Sequence, residues 1–211
     1  MSVVGIVPAG GSGERLGADR PKAFVVCAGR PLIEWSLDVL REVCDRVVVA
    51  APQGYVEPPD FVPGGESRSA SVRNAVEAAP EASVFVVHDA ARPLVTRELA
   101  QRCIDALEPG IDGAIAAIPM TDTVKDVATD GRVLRTLDRS TLWAIQTPQV
   151  FRADILRRAL ERDAAALAAA TDDAWLVDDV GGVVTVVEAF PQNLKVTHRS
   201  DLRIVEALLA D

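Results

Sequence analysis

Short runs of aliphatic and β-branched residues recur along this chain. They alternate with stretches whose apolar positions fall three and four apart. Residues 2–8 hold the first run, Val3-Val4-Gly5-Ile6-Val7, and others follow at Arg46–Pro52, Val84–His88 and Ala114–Ile118. Continuous apolar runs of this length predict strands buried on both faces. Between them, Pro31–Leu40, Ser69–Ala79 and Thr96–Leu107 have helical spacing. Pro31 stands at the start of its helix, where a missing N–H costs least, and Thr96 is the expected N-cap of the third. Residues 53–66, rich in Pro and Gly, predict a loop with a short strand at Phe61-Val62. The alternation predicts an α/β fold with a Rossmann-like, mostly parallel sheet flanked by helices.

The pattern breaks after residue 120. Val124–Leu137 alternates about Asp130-Gly131, a hairpin signal, and predicts an arm at 121–142 projecting from the sheet. Beyond it the expected elements are a strand at Trp143–Phe151, one long helix at Ala153–Ala170 and a short acidic helix at Asp172–Val180. A last strand at Val183–Ala189 and a helix at Ser200–Ala210 with Ser200 as N-cap complete the chain. With no repeat, low-complexity tract or linker, residues 1–211 read as one domain.

Composition narrows the function. The 211 residues are 49% hydrophobic and 25% charged, ordinary for a globular chain. A formal net charge of −9 argues against nucleic acid as a partner, because that binding needs a basic surface. No apolar run is long enough to cross a membrane, and Met1 leads directly into a strand, so no targeting segment is expected. Cys27, Cys44 and Cys103 are odd in number and lack metal spacing, which suits a reducing cytoplasm. His88 and His198 are too few for a histidine metal site.

The candidate chemistry begins where the first strand ends. Pro8-Ala9-Gly10-Gly11-Ser12-Gly13-Glu14-Arg15 is followed by Arg20-Pro21-Lys22. Such a loop presents backbone N–H groups to a polyphosphate, and Arg15 and Lys22 add full charges. Lysine is scarce here: Lys22, Lys125 and Lys195 stand against nineteen arginines. It persists where a compact, flexible cation suits better than a rigid fork. The loop is not the dinucleotide fingerprint, since Leu16 occupies the third glycine position and no acid closes the second strand. Nor is it a Walker loop, since Lys22 lies between proline and alanine. By itself it marks only a tight turn; with Arg15 and Pro21-Lys22 it points to nucleotide binding.

Together with that loop, six further segments carry a resemblance. They are Gly64-Gly65-Glu66-Ser67-Arg68-Ser69-Ala70-Ser71-Val72, Val87-His88-Asp89-Ala90-Ala91-Arg92-Pro93, Asp122-Thr123-Val124-Lys125, Thr147-Pro148-Gln149, Thr171-Asp172-Asp173 and Asn193-Leu194-Lys195-Val196-Thr197. The loop resembles that of sugar-phosphate nucleotidyltransferases. The set, spanning nearly the whole chain in order, resembles the 2-C-methyl-D-erythritol 4-phosphate cytidylyltransferases of non-mevalonate isoprenoid synthesis. A ribitol 5-phosphate cytidylyltransferase shares several of these segments. A nucleotide sensor without turnover is an alternative of another class.

The resemblance implies the nucleotide-diphospho-sugar transferase fold and transfer of CMP from CTP to the acceptor phosphate. It places Arg15, Lys22 and Lys195 at the reacting phosphate. CTP would contact Pro8, Ala9, Gly10, Gly11, Gly13, Gly65, Glu66, Ser71 and Ala90, with cytosine near Gly65, Glu66 and Ser71 and the ribose near Ala90. The acceptor would meet Asp89, Arg92, Thr123, Arg139 and Thr147, with Arg139 serving the neighbouring subunit of a homodimer joined through the arm. Mg2+ would be held mainly by the triphosphate, with no dedicated protein cage. No role is assigned to Lys125, His88 or Asp173. Three departures from the commonest pattern stand out: Gly10 for alanine, Asp173 for glutamate, and a short loop before Gly64.

Overall fold

Apolar residues alternate across the central strands and build a core layer on each side of the sheet. Val4, Ile6, Val48, Phe85, Val87 and Phe151 face one layer; Val3, Val7, Val47, Val49, Val84, Val86 and Val150 face the other. The computed structural model describes residues 1–56 and 59–210. Glu57 and Pro58, within the expected loop 53–66, and Asp211, the end of the expected domain, lie outside the described residues.

In chain order the strands are β1 (Val3–Pro8), β2 (Val26–Cys27), β3 (Arg30–Pro31), β4 (Arg46–Ala51), β5 (Phe61–Pro63), β6 (Val84–Val87), β7 (Gly113–Pro119), β8 (Lys125–Val127), β9 (Val133–Thr136), β10 (Trp143–Arg152) and β11 (Val184–Glu188). The α-helices are α1 (Leu32–Val43), α2 (Arg68–Glu77), α3 (Arg97–Asp105), α4 (Ala153–Leu160), α5 (Ala164–Ala169), α6 (Asp173–Asp179) and α7 (Arg199–Ala210). Seven strands form one sheet in the order β11-β7-β10-β6-β1-β4-β5. Its pairings are parallel except where β10 lies antiparallel between β6 and β7. The expected mostly parallel sheet is therefore present. From β1 the chain steps to β4 on one side, then returns through α2 to β6 on the other. The carboxyl ends of β1 and β6 are thus a topological switch point, where open α/β sheets bind ligands.

Two expectations change. The long helix at 153–170 is two helices, because Asp163 caps a new one by accepting from Ala166 N at 2.8 Å. The last helix begins at Arg199, so Ser200 lies inside it and is not the N-cap. Asp201 satisfies the entering backbone instead, accepting from Thr197 N and His198 N, each at 2.8 Å. Thr96 does cap α3, accepting from Leu99 N. The arm is present: β8 pairs antiparallel with β9 across Lys125–Thr136 and forms a separate two-stranded ribbon. The Thr147-Pro148 peptide is cis.

Candidate active site

Past the carboxyl end of β1 the chain turns tightly. Lys22 N donates to Gly11 O at 2.9 Å, closing a loop around the short 3-10 helix Glu14–Leu16. Gly13 has φ +79, and a Cβ there would meet Arg20 O at 3.1 Å, so this closure requires glycine. Gly10 is different: an added Cβ meets only Ser71 Oγ, at an ordinary 3.7 Å. Gly10→Ala is expected to leave turnover within about twofold, because it creates neither strain nor a void; steady-state kinetics check it.

On the facing side, Gly64-Gly65 enters α2. A Cβ on Gly65 would lie 2.6 Å from Ala70 Cβ and 2.8 Å from Ala70 C, so the loop can approach the helix only as glycine. Ser67, not Ser71, is the N-cap of α2, accepting from Ala70 N at 3.1 Å. Ser71 Oγ accepts from Gly65 N at 3.0 Å and donates to Ser67 O at 2.9 Å. Its hydroxyl shapes the loop as well as lining the cleft. Gly65→Ala is expected to push the loop off α2 and weaken nucleotide binding by about tenfold or more, measured as a dissociation constant.

These walls enclose a cleft of about 350 Å3 lined by Pro8, Ala9, Gly10, Gly11, Gly65, Glu66, Ser71 and Ala90, with Arg15, Lys22, Arg68 and Lys195 as cations and Asp89 as a second carboxylate beside Glu66. Gly13 lines a smaller space behind it, shared with Arg15 and Lys22. A second cleft of about 320 Å3 lies beside the first, lined by Arg92, Thr147, Gln149, Thr171 and Asp172. Arg68, Asp89 and Lys195 border both. They form an ion-paired wall: Arg68 Nε donates to Asp89 Oδ1 at 3.0 Å and Lys195 Nζ to Asp89 Oδ2 at 2.6 Å. The wall is anchored below, where Arg68 Nη1 meets the fully buried Asp173 at 2.7 Å.

The electrostatics follow from this packing. Burial alone would raise the Asp89 carboxyl, but Arg68 and Lys195 hold it far below the usual range. Burial, then the neighbouring Lys195, lowers Lys22 to about 8, with Asp89 opposing. Lys22 Nζ donates to Val196 O at 2.7 Å, which seats its charge at the cleft floor. Burial pushes the His88 imidazole down to about 4, so it is neutral. Its Nε2 lies 3.2 Å from Arg92 O, an acceptor, and must carry the hydrogen. Nδ1 therefore accepts from the Thr147 hydroxyl at 3.1 Å, while Thr147 Oγ1 accepts from Asp89 N at 3.0 Å. His88, left without chemistry by the sequence, thereby orients the Thr147 hydroxyl so that its oxygen accepts from the Asp89 backbone N–H.

The fold thus gathers most of the expected site residues. Thr123 and Arg139 are the exceptions: both are exposed on the arm and line neither cleft of their own chain. Arg139 Nη1 bonds Thr121 O there. Sequence reading passed over Arg68, Thr171 and Gln149. Arg68 did carry a signal: a cation in the first turn of a helix opposes the helix dipole, so its presence calls for an acidic partner.

Among the described residues, no group of three His, Cys, Asp or Glu converges as a metal cage, and no helix is long and apolar enough to cross a membrane. The sequence model of 2-C-methyl-D-erythritol 4-phosphate cytidylyltransferase matches residues 3–211. A protein of that name from Nocardia farcinica is 44% identical over 99% of this chain and 94% of its own. Another from Rubrobacter xylanophilus is 41% identical over 98% of this chain and 94% of its own. The crystal structure of the enzyme of that name from Thermus thermophilus superposes with a TM-score of 0.84 at 36% identity, covering all of both chains. A cationic cleft at the switch point, a joined second cleft and full-length similarity agree: the chain belongs to the 2-C-methyl-D-erythritol 4-phosphate cytidylyltransferase family.

Proposed function

We propose that residues 1–211 work as one unit that transfers CMP from CTP to 2-C-methyl-D-erythritol 4-phosphate, with CTP in the larger cleft and the acceptor in the smaller. The observation that carries this reading is the shared wall of Arg68, Asp89 and Lys195. Two anionic substrates placed on either side of it meet at its cations.

The acceptor's phosphate oxygen attacks the α-phosphorus of CTP in line, and pyrophosphate leaves. A phosphate monoester is already anionic near neutral pH, so no general base is needed. The protein's task is to hold two mutually repelling anions in register and to neutralise charge in the transition state. Arg15, Lys22 and Lys195 do this at the α-phosphate. Gly65, Glu66 and Ser71 read cytosine; a pocket walled by backbone is too small for a purine. Asp89, Arg92 and Thr147 hold the acceptor. A divalent cation, Mg2+ in our reading, neutralises phosphate charge when bound with the triphosphate. Asp89 and Glu66 are the carboxylates lining that cleft, and Asp89 is already engaged by two cations, which fits a metal carried mainly by the nucleotide.

Lys22 supplies a pH test. Its cation is lost as pH rises through about 8, so kcat/KM for CTP is expected to fall above that point. Lys22→Arg, which does not titrate, should remove the limb even if its rate is lower. Stability moves the other way. Between about 8 and the ordinary lysine value of 10.5 the unfolded chain binds more protons, so stability rises with pH across that window.

We also propose a homodimer formed through the arm at 121–142. Val133 and Leu134 are 59% and 58% exposed, and a two-stranded ribbon with bare apolar side chains is not stable alone. Arg139 and Thr123 then serve the partner's acceptor cleft. Mixing Arg139→Ala protomers with Lys22→Ala protomers is expected to restore activity in heterodimers. No recovery in proven heterodimers refutes action in trans. The three free cysteines, each with its thiol pushed up by burial, to about 11 for Cys27 and about 12 for Cys44 and Cys103, suit the cytoplasm as location.

The deciding experiment incubates the protein with Mg2+, each of the four nucleoside triphosphates, and either 2-C-methyl-D-erythritol 4-phosphate or ribitol 5-phosphate. Pyrophosphate release with CTP and the first acceptor supports the assignment. Preference for ribitol 5-phosphate, or nucleotide binding without release, overturns it.

A further inference from the structure

The loop that carries Arg15 is held from outside the cleft by a residue at the other end of the chain. Arg199 opens α7, and its guanidinium donates from Nε to Leu16 O at 3.0 Å and from Nη2 to Gly17 O at 3.2 Å. These carbonyls stand at the end of the 3-10 turn Glu14–Leu16, where Gly17 has φ +65 and a Cβ would lie 3.3 Å from Arg199 Nη2. A helix end leaves its last carbonyls without intrahelical donors, and a cation there is favourable. Beneath the turn, Leu16 packs with Cys27, Leu32, Val196 and Val205 in a small core separate from the two main layers.

The other side of Arg199 leads directly to Lys195. Val196 N donates to Ala91 O at 2.8 Å and Val196 O accepts from Lys22, while Asp201 holds Thr197 N and His198 N. The segment 195–199 is therefore fixed to the Asp89 loop at one end and to the Arg15 turn at the other. Arg199 is the two-pronged link between the backbone bearing Arg15 and the backbone bearing Lys195.

We infer that Arg199 is a positioning residue for the nucleotide: it sets the distance between two of the cations that grip the triphosphate, without touching it. This rests on the placement of CTP proposed above. A planar fork can bond two adjacent carbonyls at once, and an ammonium cannot match that geometry.

The test is CTP titration by calorimetry, alongside initial-rate kinetics, for the unaltered protein, Arg199→Ala, Arg199→Lys and Arg203→Ala. Arg203 borders the same outer surface one turn along α7 and bonds neither carbonyl. Arg199→Ala is expected to weaken CTP binding by about tenfold, the scale of a lost pair of charge-assisted hydrogen bonds. KM for the acceptor should stay within about twofold, since the carbonyls that Arg199 bonds belong to the turn bearing Arg15, which borders the CTP cleft and not the acceptor cleft. Arg199→Lys should recover part of the affinity, and Arg203→Ala should match the unaltered protein. If Arg199→Ala does not fold, the Arg199→Lys comparison decides by the same selectivity for CTP over acceptor. Unchanged CTP affinity, or equal losses for both substrates, overturns the inference while leaving the site intact. Failure of the unaltered protein to bind CTP overturns both.

Discussion

Lys22→Ala is expected to fold normally and lose turnover by at least about 10²–10³-fold, the typical cost of removing one preorganised donor from a developing anion. The reasoning begins with its position. Lys22 follows a loop closed by its own N–H on Gly11 O, and its ammonium rests on Val196 O at 2.7 Å. Burial has already depressed its pKa to about 8, which means the fold bears a cost for keeping a charge there. A purely structural position would be served as well by methionine. Folding should therefore be unharmed by the change, or improved, while pyrophosphate release collapses. The measurement is single-turnover release of pyrophosphate beside a thermal melt. Near-normal release removes Lys22 from the mechanism.

The second large effect concerns Arg68. Asp173 is fully buried, and its Oδ2 meets Arg68 at 2.7 Å, while its Oδ1 has no partner. Removing Arg68 leaves an unpaired buried carboxylate, a change that costs about 3–5 kcal/mol. Burial already raises the Asp173 carboxyl against the pull of Arg68. Without the guanidinium it rises further, so the folded state binds a proton that the unfolded chain releases. The Arg68→Ala protein should therefore lose stability as pH rises above the ordinary Asp value of 3.8, following the sign of proton linkage. Arg68→Ala combined with Asp173→Asn should recover much of the stability, because position 173 no longer holds a buried carboxylate stripped of its partner. Activity should not return. Asp89 would still lack its second cation, and the wall between the clefts would still be incomplete, leaving turnover at least about 10²-fold down. Full activity in the double variant would reduce Arg68 to a structural counter-ion.

These two residues show how differently the site was legible. Lys22 was visible in the sequence because proline, lysine and a glycine-rich turn lie together over fifteen residues, and local chemistry is local in sequence. Arg68 was visible only as a letter in a motif. Its meaning depends on Asp89 and Asp173, which lie 21 and 105 positions away. Ser71 was read as a base contact, and its hydroxyl also shapes the Gly65 loop by accepting from Gly65 N, while Ser67 caps α2. Thr147 and His88 join through a hydrogen bond between residues 59 apart, which no spacing rule reaches.

The order of the main strands and helices, the arm, the tight glycine-rich loop and the class of chemistry were all readable from the chain of letters. Hydrophobic period, turn residues and capping act over a few positions, and so are written in the neighbours of each residue. That reading erred where a local choice was balanced, as at Asp163, which starts a new helix, and Ser200, which Asp201 supersedes. Three features emerged only on folding: β10 enters reversed between β6 and β7, two clefts share one ion-paired wall, and Arg199 braces the first loop from the last helix. Those outcomes depend on burial and on charges meeting across the sheet. Their energies arise only when distant segments exclude water together.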